Sequence, residues 1–362
     1  MSDSKQHTFF AGGYAAADQP AMHVFTFDSI SGALSPVGSF TGVANPSFLR
    51  VHPNGRWLYA VSEVGLADSG EHGAVWAFHI DQASLALEPI NRQSTRGDWP
   101  CHLEIDASGR WLLASNYGSG DVAVFPITAE GELGELVEFV QHEGQGPNEA
   151  RQEGPHAHSA TMSPDNQFVI VADLGIDRLV IYNLNMDTGK LVLHGMTQTR
   201  PGAGPRHVTF DHEGRRLYVA NELDSTVTVY DYDAANGSLS EMQTLDTLPP
   251  AAPENIVADI HISSSGQRVY VSNRGHNSVA AYTVGADGRL TRLAIPSCGG
   301  KWPRNFALAP GGRFMLVANE QSNEIVVLPV LAGTAELGEP VAWSTIPRPT
   351  CVQFVGKLKG GP

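Results

Sequence analysis

Apolar and polar positions alternate along the chain in short runs, and clusters of Gly, Asn, Asp and Pro separate one run from the next. Alternation puts successive side chains on opposite faces of an extended backbone, so these runs predict half-buried strands joined by tight turns. Residues 206–210 alternate in this way, His212, Glu213 and Gly214 turn the chain, residues 216–220 return it, and 226–230 add a third run. An outer run follows at 239–245. Four such runs in succession make one small antiparallel sheet.

The same phrase recurs through the sequence. It reads NPSFLRVHPNGRWLYAVSE from Asn45, WPCHLEIDASGRWLLASNY from Trp99, GPRHVTFDHEGRRLYVANE from Gly204, NIVADIHISSSGQRVYVSNR from Asn255 and WPRNFALAPGGRFMLVANE from Trp302. A diverged copy, AHSATMSPDNQFVIVADL, starts at Ala157. The turn residues Gly55, Gly109, Asn166, Gly214, Gly266 and Gly312 are 54, 57, 48, 52 and 46 positions apart. A period of this length with four strands per unit signals a radial array, which leaves only short edges exposed. Both termini carry strands left over: PTCVQFV from Pro349 has the pattern of an innermost strand, and FFAGGY from Phe9 and HVFTFD from His23 have those of second and third strands. Joined, they predict a seventh sheet. The expected fold is all-β: a seven-bladed β-propeller in one domain spanning 1–362, its ring closed by N- and C-terminal strands sharing a blade.

Composition narrows the function. Of 362 residues 42% are hydrophobic and only 17% charged, with 38 Gly and 23 Pro, which fits a turn-rich protein with a large core and excludes wholesale disorder. The net charge is −15 with five lysines, so a broad nucleic-acid surface is not expected. No apolar run is long enough to span a membrane, and the first residues, MSDSKQHTFF, show no export pattern. Three cysteines without paired spacing fit a reducing compartment, and a cytoplasmic protein, a monomer or weak homo-oligomer, is expected.

In a propeller the start of each innermost strand and the loop after each second strand meet at one rim of the central channel. Counting eight residues from each turn gives Glu63, Tyr117, Leu174, Glu222, Arg274 and Glu320. The strand starts are Ser47-Phe48, Cys101-His102, His158-Ser159, Arg206-His207, Ala258-Asp259, Arg304-Asn305 and Thr350-Cys351. This rim gathers His158, Arg206, His207, Arg274, His276 and Arg304 in an otherwise acidic protein, which suits a small anion. Glu63, Glu222 and Glu320 share one register, so a loop role for Glu222 stands beside a chemical one. Arg274 breaks the register, which favours function there. Asp259 and His261 are read as a hydrogen-bonded pair within the stack. His156 and His158 have metal-like spacing but no accompanying ligand set, so neither a metal nor another cofactor is expected.

The segments GPHAHS (from Gly154), GPRH (from Gly204), ANE (from Ala220), ADIHIS (from Ala258), SNRGHNS (from Ser272) and WPRNF (from Trp302) together resemble the seven-bladed lactonase family. That family contains bacterial cytoplasmic 6-phosphogluconolactonases and fungal carboxymuconate cyclases. The resemblance covers nearly the whole chain and implies catalytic residues at His158, Arg206, Glu222 and Arg274, with Arg304 and Asn305 supporting. His156, His207 and His276 complete the expected substrate-binding set. Lactone hydrolysis needs a base for water, donors for the oxyanion and an acid for the ring oxygen. His158 is assigned as base, Arg206 and Arg274 as anion anchors, and Glu222 as the group orienting His158 or Arg206. The substrate expected is a small, anionic lactone, most directly 6-phosphogluconolactone. A cycloisomerase or a non-catalytic binding propeller remains the alternative. The Gly/Gln/Glu-rich loop at 141–154 adds acidic residues beside the pocket, which count against a strongly anionic substrate.

Overall fold

The computed structural model of the chain describes residues 5–331 and 336–356. Its strands form seven four-stranded antiparallel sheets. The innermost strands are Leu49–Val51, Pro100–Ile105, Ala157–Met162, Pro205–Phe210, Val257–Ile262, Pro303–Leu308 and Pro349–Phe354, belonging to blades 1 to 7 in that order. Each contacts the next around a central channel, and the seventh contacts the first, so the ring is closed. Blade 7 is built as expected: Pro349–Phe354 pairs with Gln6–Gly13, which pairs in turn with Met22–Asp28 and then Leu34–Phe40. Phe9 faces Phe354 and Ala11 faces Val352 in this junction.

The recurring turn has one conformation. Gly55, Gly109, Gly214, Gly266 and Gly312 all have φ between 64° and 73°, and Asn166 takes the same place at 61°. Only Gly adopts this left-handed region freely, and Asn is among the few other residues that tolerate it, which explains the one exception.

Second strands are buried along most of their length, completely so in Trp57–Ser62 and Phe168–Asp173, because sheets cover both of their faces. Outer strands such as Leu191–Gln198 show mainly exposed positions. Blades lock together through a large side chain set on a glycine of the next blade's outer hairpin. Trp57 lies on Gly131, Trp111 on Gly189, Phe168 on Gly237 and Phe314 on Gly32; a Cβ at any of these glycines would come within 2.8 Å of the ring. Tyr59 and Tyr218 add hydrogen bonds of 3.0 Å to the carbonyls of Gly131 and Gly288. The repeated aromatics are therefore inter-blade core.

Candidate functional site

The channel rim owes its chemistry to a repeated backbone irregularity. In blade 3, Ala157 pairs with Asp173 and Ser159 with Ala172, leaving His158 as an extra, unpaired residue. The same bulge leaves out Cys101, Arg206, Arg304 and Thr350 in their blades, and one residue of the Ala258-Asp259 pair in blade 5. A bulge bends its strand and re-aims one side chain. Here it marks the start of the innermost strand, bringing these side chains to one mouth. The approach is strained as well. Two residues before the rim position, Asn45, Trp99, Trp302 and Arg348 have positive φ without being glycine, a conformation that structures retain where the surroundings fix it.

At this mouth one carboxylate holds three guanidinium groups. Nη2 of Arg274 donates to Oε2 of Glu222 at 2.5 Å, and Nη2 of Arg151 donates to Oε1 at 2.5 Å. Nε of Arg206 lies 3.0 Å from Oε2, close enough for an ion pair though too bent for a hydrogen bond. Arg206 also donates from Nη1 to the Ala258 carbonyl at 2.6 Å, and Arg274 to the Val257 carbonyl at 2.9 Å. Burial acts to raise the Glu222 pKa, but Arg274, Arg206 and Arg151 outweigh it and hold the group at about 2. Burial and the neighbouring Arg274 and Arg304 bring Arg206 down to about 9.

A second network occupies the opposite side. Tyr14 donates to Glu63 at 2.9 Å, Ser47 donates to the same carboxylate, and Arg348 pairs with Glu320 at 2.8 Å. The guanidinium of Arg304 lies 5.3 Å above the Tyr14 ring, and among the described residues it has no hydrogen-bonded or ion-paired acceptor. Burial works against its charge, yet Tyr14, Glu63 and Glu320 more than compensate and raise its pKa.

His158 is buried beside both networks. Its Nδ1 lies 3.6 Å from Sγ of Cys101, and its ring is 5.3 Å from the rings of Tyr117 and His207. Burial, followed by Arg206, His207, Arg304 and Arg274, pushes its pKa well below the usual 6.5, so the imidazole is neutral at neutral pH. No bond joins it to Glu222: that carboxylate orients Arg206 and Arg274, one of the two partners expected.

The remaining expected residues separate. His207 and Asn305 lie one step along their strands from the rim and converge on Asp259, with Nδ1 of His207 at 2.8 Å from one oxygen and Nδ2 of Asn305 at 2.6 Å from the other. His261 completes this set at 2.9 Å, as the pairing read from the sequence implied. Asn305 also accepts from the Val352 amide at 2.8 Å, so both its ends are engaged. His156 stacks on Tyr117 at 4.5 Å and donates to its carbonyl at 2.8 Å. His276 turns to Ser278 in its own hairpin, at 2.8 Å.

Three rim residues, Tyr14, Arg151 and Arg348, lay outside the sequence reading, the last in the three-residue connection at 346–348. Tyr14 follows the second strand of blade 7 just as Glu222 follows that of blade 4, but without a turn glycine to count from. Arg151 comes from the irregular 142–156 connection, which obeys no repeat. Besides its acidic residues, this loop brings a cation into the site.

Ser47, Cys101, Arg206, His207, Arg304 and Thr350 enclose a gap of only about 10 Å³ beneath the rim. A cavity of about 600 Å³ opens below them, at the other end of the channel, lined in part by Arg50, Glu104, Thr161, Thr209, His261 and Gln353. Neutral imidazole and concentrated guanidinium groups lie above, where the strands begin.

The family model described as a lactonase with a seven-bladed β-propeller matches residues 8–354. A 6-phosphogluconolactonase of Bacillus subtilis is 34% identical over 351 residues, covering 96% of this chain and 98% of the relative. A 6-phosphogluconolactonase of Formosa agariphila is 35% identical over 312 residues, covering 84% and 87%. The solved structure of a periplasmic gluconolactonase from Pseudomonas aeruginosa superimposes with a TM-score of 0.91 at 30% identity, covering 97% of this chain and 99% of that one. With seven closed blades and a match running from the first strand to the last, the chain belongs to the seven-bladed β-propeller lactonase family.

Proposed function

We propose that this lactonase hydrolyses a sugar lactone at the rim of the channel, and that 6-phosphogluconolactone is its substrate. The observation that carries the reading is the charge of the rim. Arg151, Arg206, Arg274, Arg304 and Arg348 stand against Glu63, Glu222 and Glu320, and Arg304 has no acceptor among the described residues. Burial also raises the Glu63 pKa, with Arg304 opposing, which weakens the acidic side further. A site with surplus guanidinium charge in a protein of net charge −15 is organised for an anion.

The gap under the rim is too small for a lactone, so the substrate lies above it, against His158 and Arg304. Neutral His158 accepts a proton from water as the water oxygen bonds to the lactone carbonyl carbon. Charge then develops on the carbonyl oxygen, where Arg304 supplies unengaged donors and Arg206 adds positive potential. The bond from the carbonyl carbon to the ring oxygen breaks, and the leaving oxygen takes the proton from the imidazolium. The product is the open hydroxy acid, which ionises at neutral pH. The Arg neighbours that keep His158 neutral before the reaction also speed return of its proton. The names of the two 6-phosphogluconolactonases and of the gluconolactonase support a sugar lactone over other esters.

The test compares 6-phosphogluconolactone, unphosphorylated gluconolactone and carboxymuconolactone at equal concentration. A higher kcat/KM on the phosphorylated sugar lactone is expected; preference for carboxymuconolactone would replace the reading with a carboxymuconate one.

A further inference from the structure

The connection between blades 2 and 3 is longer than its counterparts. Fifteen residues, 142–156, separate the outer strand ending at Gln141 from the innermost strand starting at Ala157, whereas the other six connections have between three and ten. Long connections in compact folds tend to serve function. This one is pinned. Nδ1 of His142 bonds Asp173 at 2.6 Å, and buried Gln152 donates to the Leu174 carbonyl and to Asp177, each at 2.8 Å. The amide of Gln152 closes back on the Asn148 carbonyl at 2.7 Å. Arg151, the residue before this anchor, is therefore placed by the backbone.

Its side chain is built differently from the other two guanidinium groups on Glu222. Arg206 and Arg274 are buried, with side chains 2% and 5% exposed, while that of Arg151 is 34% exposed. Glu222 does not need a third partner, because Arg206 and Arg274 already share Oε2. Arg151 spends only Nη2, on Glu222 and on the Tyr117 hydroxyl at 3.2 Å. Its Nε and Nη1 have no acceptor among the described residues. With Nη2 spent on Glu222 and Tyr117, the Nε and Nη1 hydrogens point in different directions, and each is free for a single charge-assisted contact with an oxyanion.

We propose that Arg151 is a specificity-determining residue that grips the terminal phosphate of the lactone. This rests on the sugar-lactone reading above and adds the group that tells a phosphorylated substrate from a neutral one. Glu222 fixes the guanidinium through Nη2 and leaves Nε and Nη1 for the phosphate, so the 142–156 loop, which the repeat does not require, carries the selectivity.

The experiment uses Arg151→Gln and Arg151→Lys in the full chain. For Arg151→Gln, KM on 6-phosphogluconolactone should rise about tenfold or more, against less than about threefold on gluconolactone, and Arg151→Lys should fall between. Inorganic phosphate, tested as an inhibitor of gluconolactone hydrolysis, should lose about tenfold in potency in Arg151→Gln. Equal losses on both lactones, or unchanged phosphate inhibition, would overturn the role of Arg151. If the wild-type protein does not prefer the phosphorylated lactone, the substrate reading fails by itself, and phosphate inhibition still decides whether Arg151 holds an oxyanion. Absence of phosphate binding to the wild-type protein by calorimetry would also overturn it.

Discussion

Nη2 of Arg274 reaches Oε2 of Glu222 at 2.5 Å, and this contact limits what either residue can do in the reaction. A carboxylate held at about 2 by three guanidinium groups is a poor proton acceptor near neutrality, so Glu222 serves as the keystone of a cationic cluster. Arg274, bound to that carboxylate and to the Val257 carbonyl and stacked 5.7 Å from Trp302, has little freedom to follow a substrate. Arg304, with no acceptor among the described residues, and the partly exposed Arg151 are better placed to meet a ligand.

Glu222→Gln should destabilise the fold by about 3–5 kcal/mol at pH 7, because it leaves buried guanidinium groups uncompensated. The sign with pH follows from the depressed pKa. The Glu222 contribution, on the order of 3 kcal/mol, is present above its ordinary value of 4.5 and is lost as pH falls toward about 2. Urea denaturation of both proteins should show a gap at pH 7 that narrows steadily below pH 4.5. A gap independent of pH would show that the ion pairs do not set it.

His158→Ala should lower kcat by roughly 10²–10⁴-fold with little change in melting temperature, as expected for loss of a general base at a channel rim. In the wild-type protein the acidic limb of kcat/KM should lie below pH 6.5, since burial first and then the guanidinium groups disfavour the imidazolium. Arg304→Gln removes one of those charges and should move the limb upward. A limb that stays in place in Arg304→Gln would take His158 out of the titration.

The sequence made the ring legible because blade geometry is local. A glycine or asparagine with positive φ fixes each hairpin, alternation fixes each face, and the orphan strands at Phe9 and Pro349 can only complete each other. Counting from those turns also brought His158, Arg206, Glu222, Arg274 and Arg304 to one mouth. The count could not tell which acid meets which base: Glu63, Glu222 and Glu320 share a register, yet they meet Tyr14, three guanidinium groups and Arg348 respectively. Such choices depend on neighbours in other blades, about fifty residues away in sequence for Arg274 and Glu222. His276 shows another limit, a residue with the right motif whose Nδ1 bonds within its own hairpin. Arg151 was invisible for a third reason, because an irregular loop has no period to count.

Ring closure predicts a large effect from a short deletion. Removing the chain from Pro349 takes away the innermost strand of blade 7, exposes the backbone groups of residues 9–13 and uncovers the core around Phe9 and Ala11. Loss of that ladder, with buried Cys351 and Val352, should lower the melting temperature by on the order of 10 °C or cause aggregation. A monomer with unchanged melting temperature would contradict closure through this strand.

Arg304 provides the sharpest separation of binding from catalysis at the rim. Its guanidinium lies over the Tyr14 ring with no acceptor among the described residues, beside the acids Glu63 and Glu320 that sustain its charge, so it can meet an oxyanion without first breaking an ion pair. Arg274 is instead buried and tied to Glu222 and the Val257 carbonyl through Nη2. Arg304→Ala should therefore lower kcat on charged and neutral lactones alike, by about 10²-fold, because the developing oxyanion is common to both. Arg274→Ala should instead act through Glu222, with a loss of stability accompanying any loss of rate. Steady-state kinetics on both lactones, combined with melting curves, distinguish the two variants. A loss in Arg304→Ala confined to KM on the charged lactone would reassign Arg304 to phosphate binding and leave the oxyanion to Arg206.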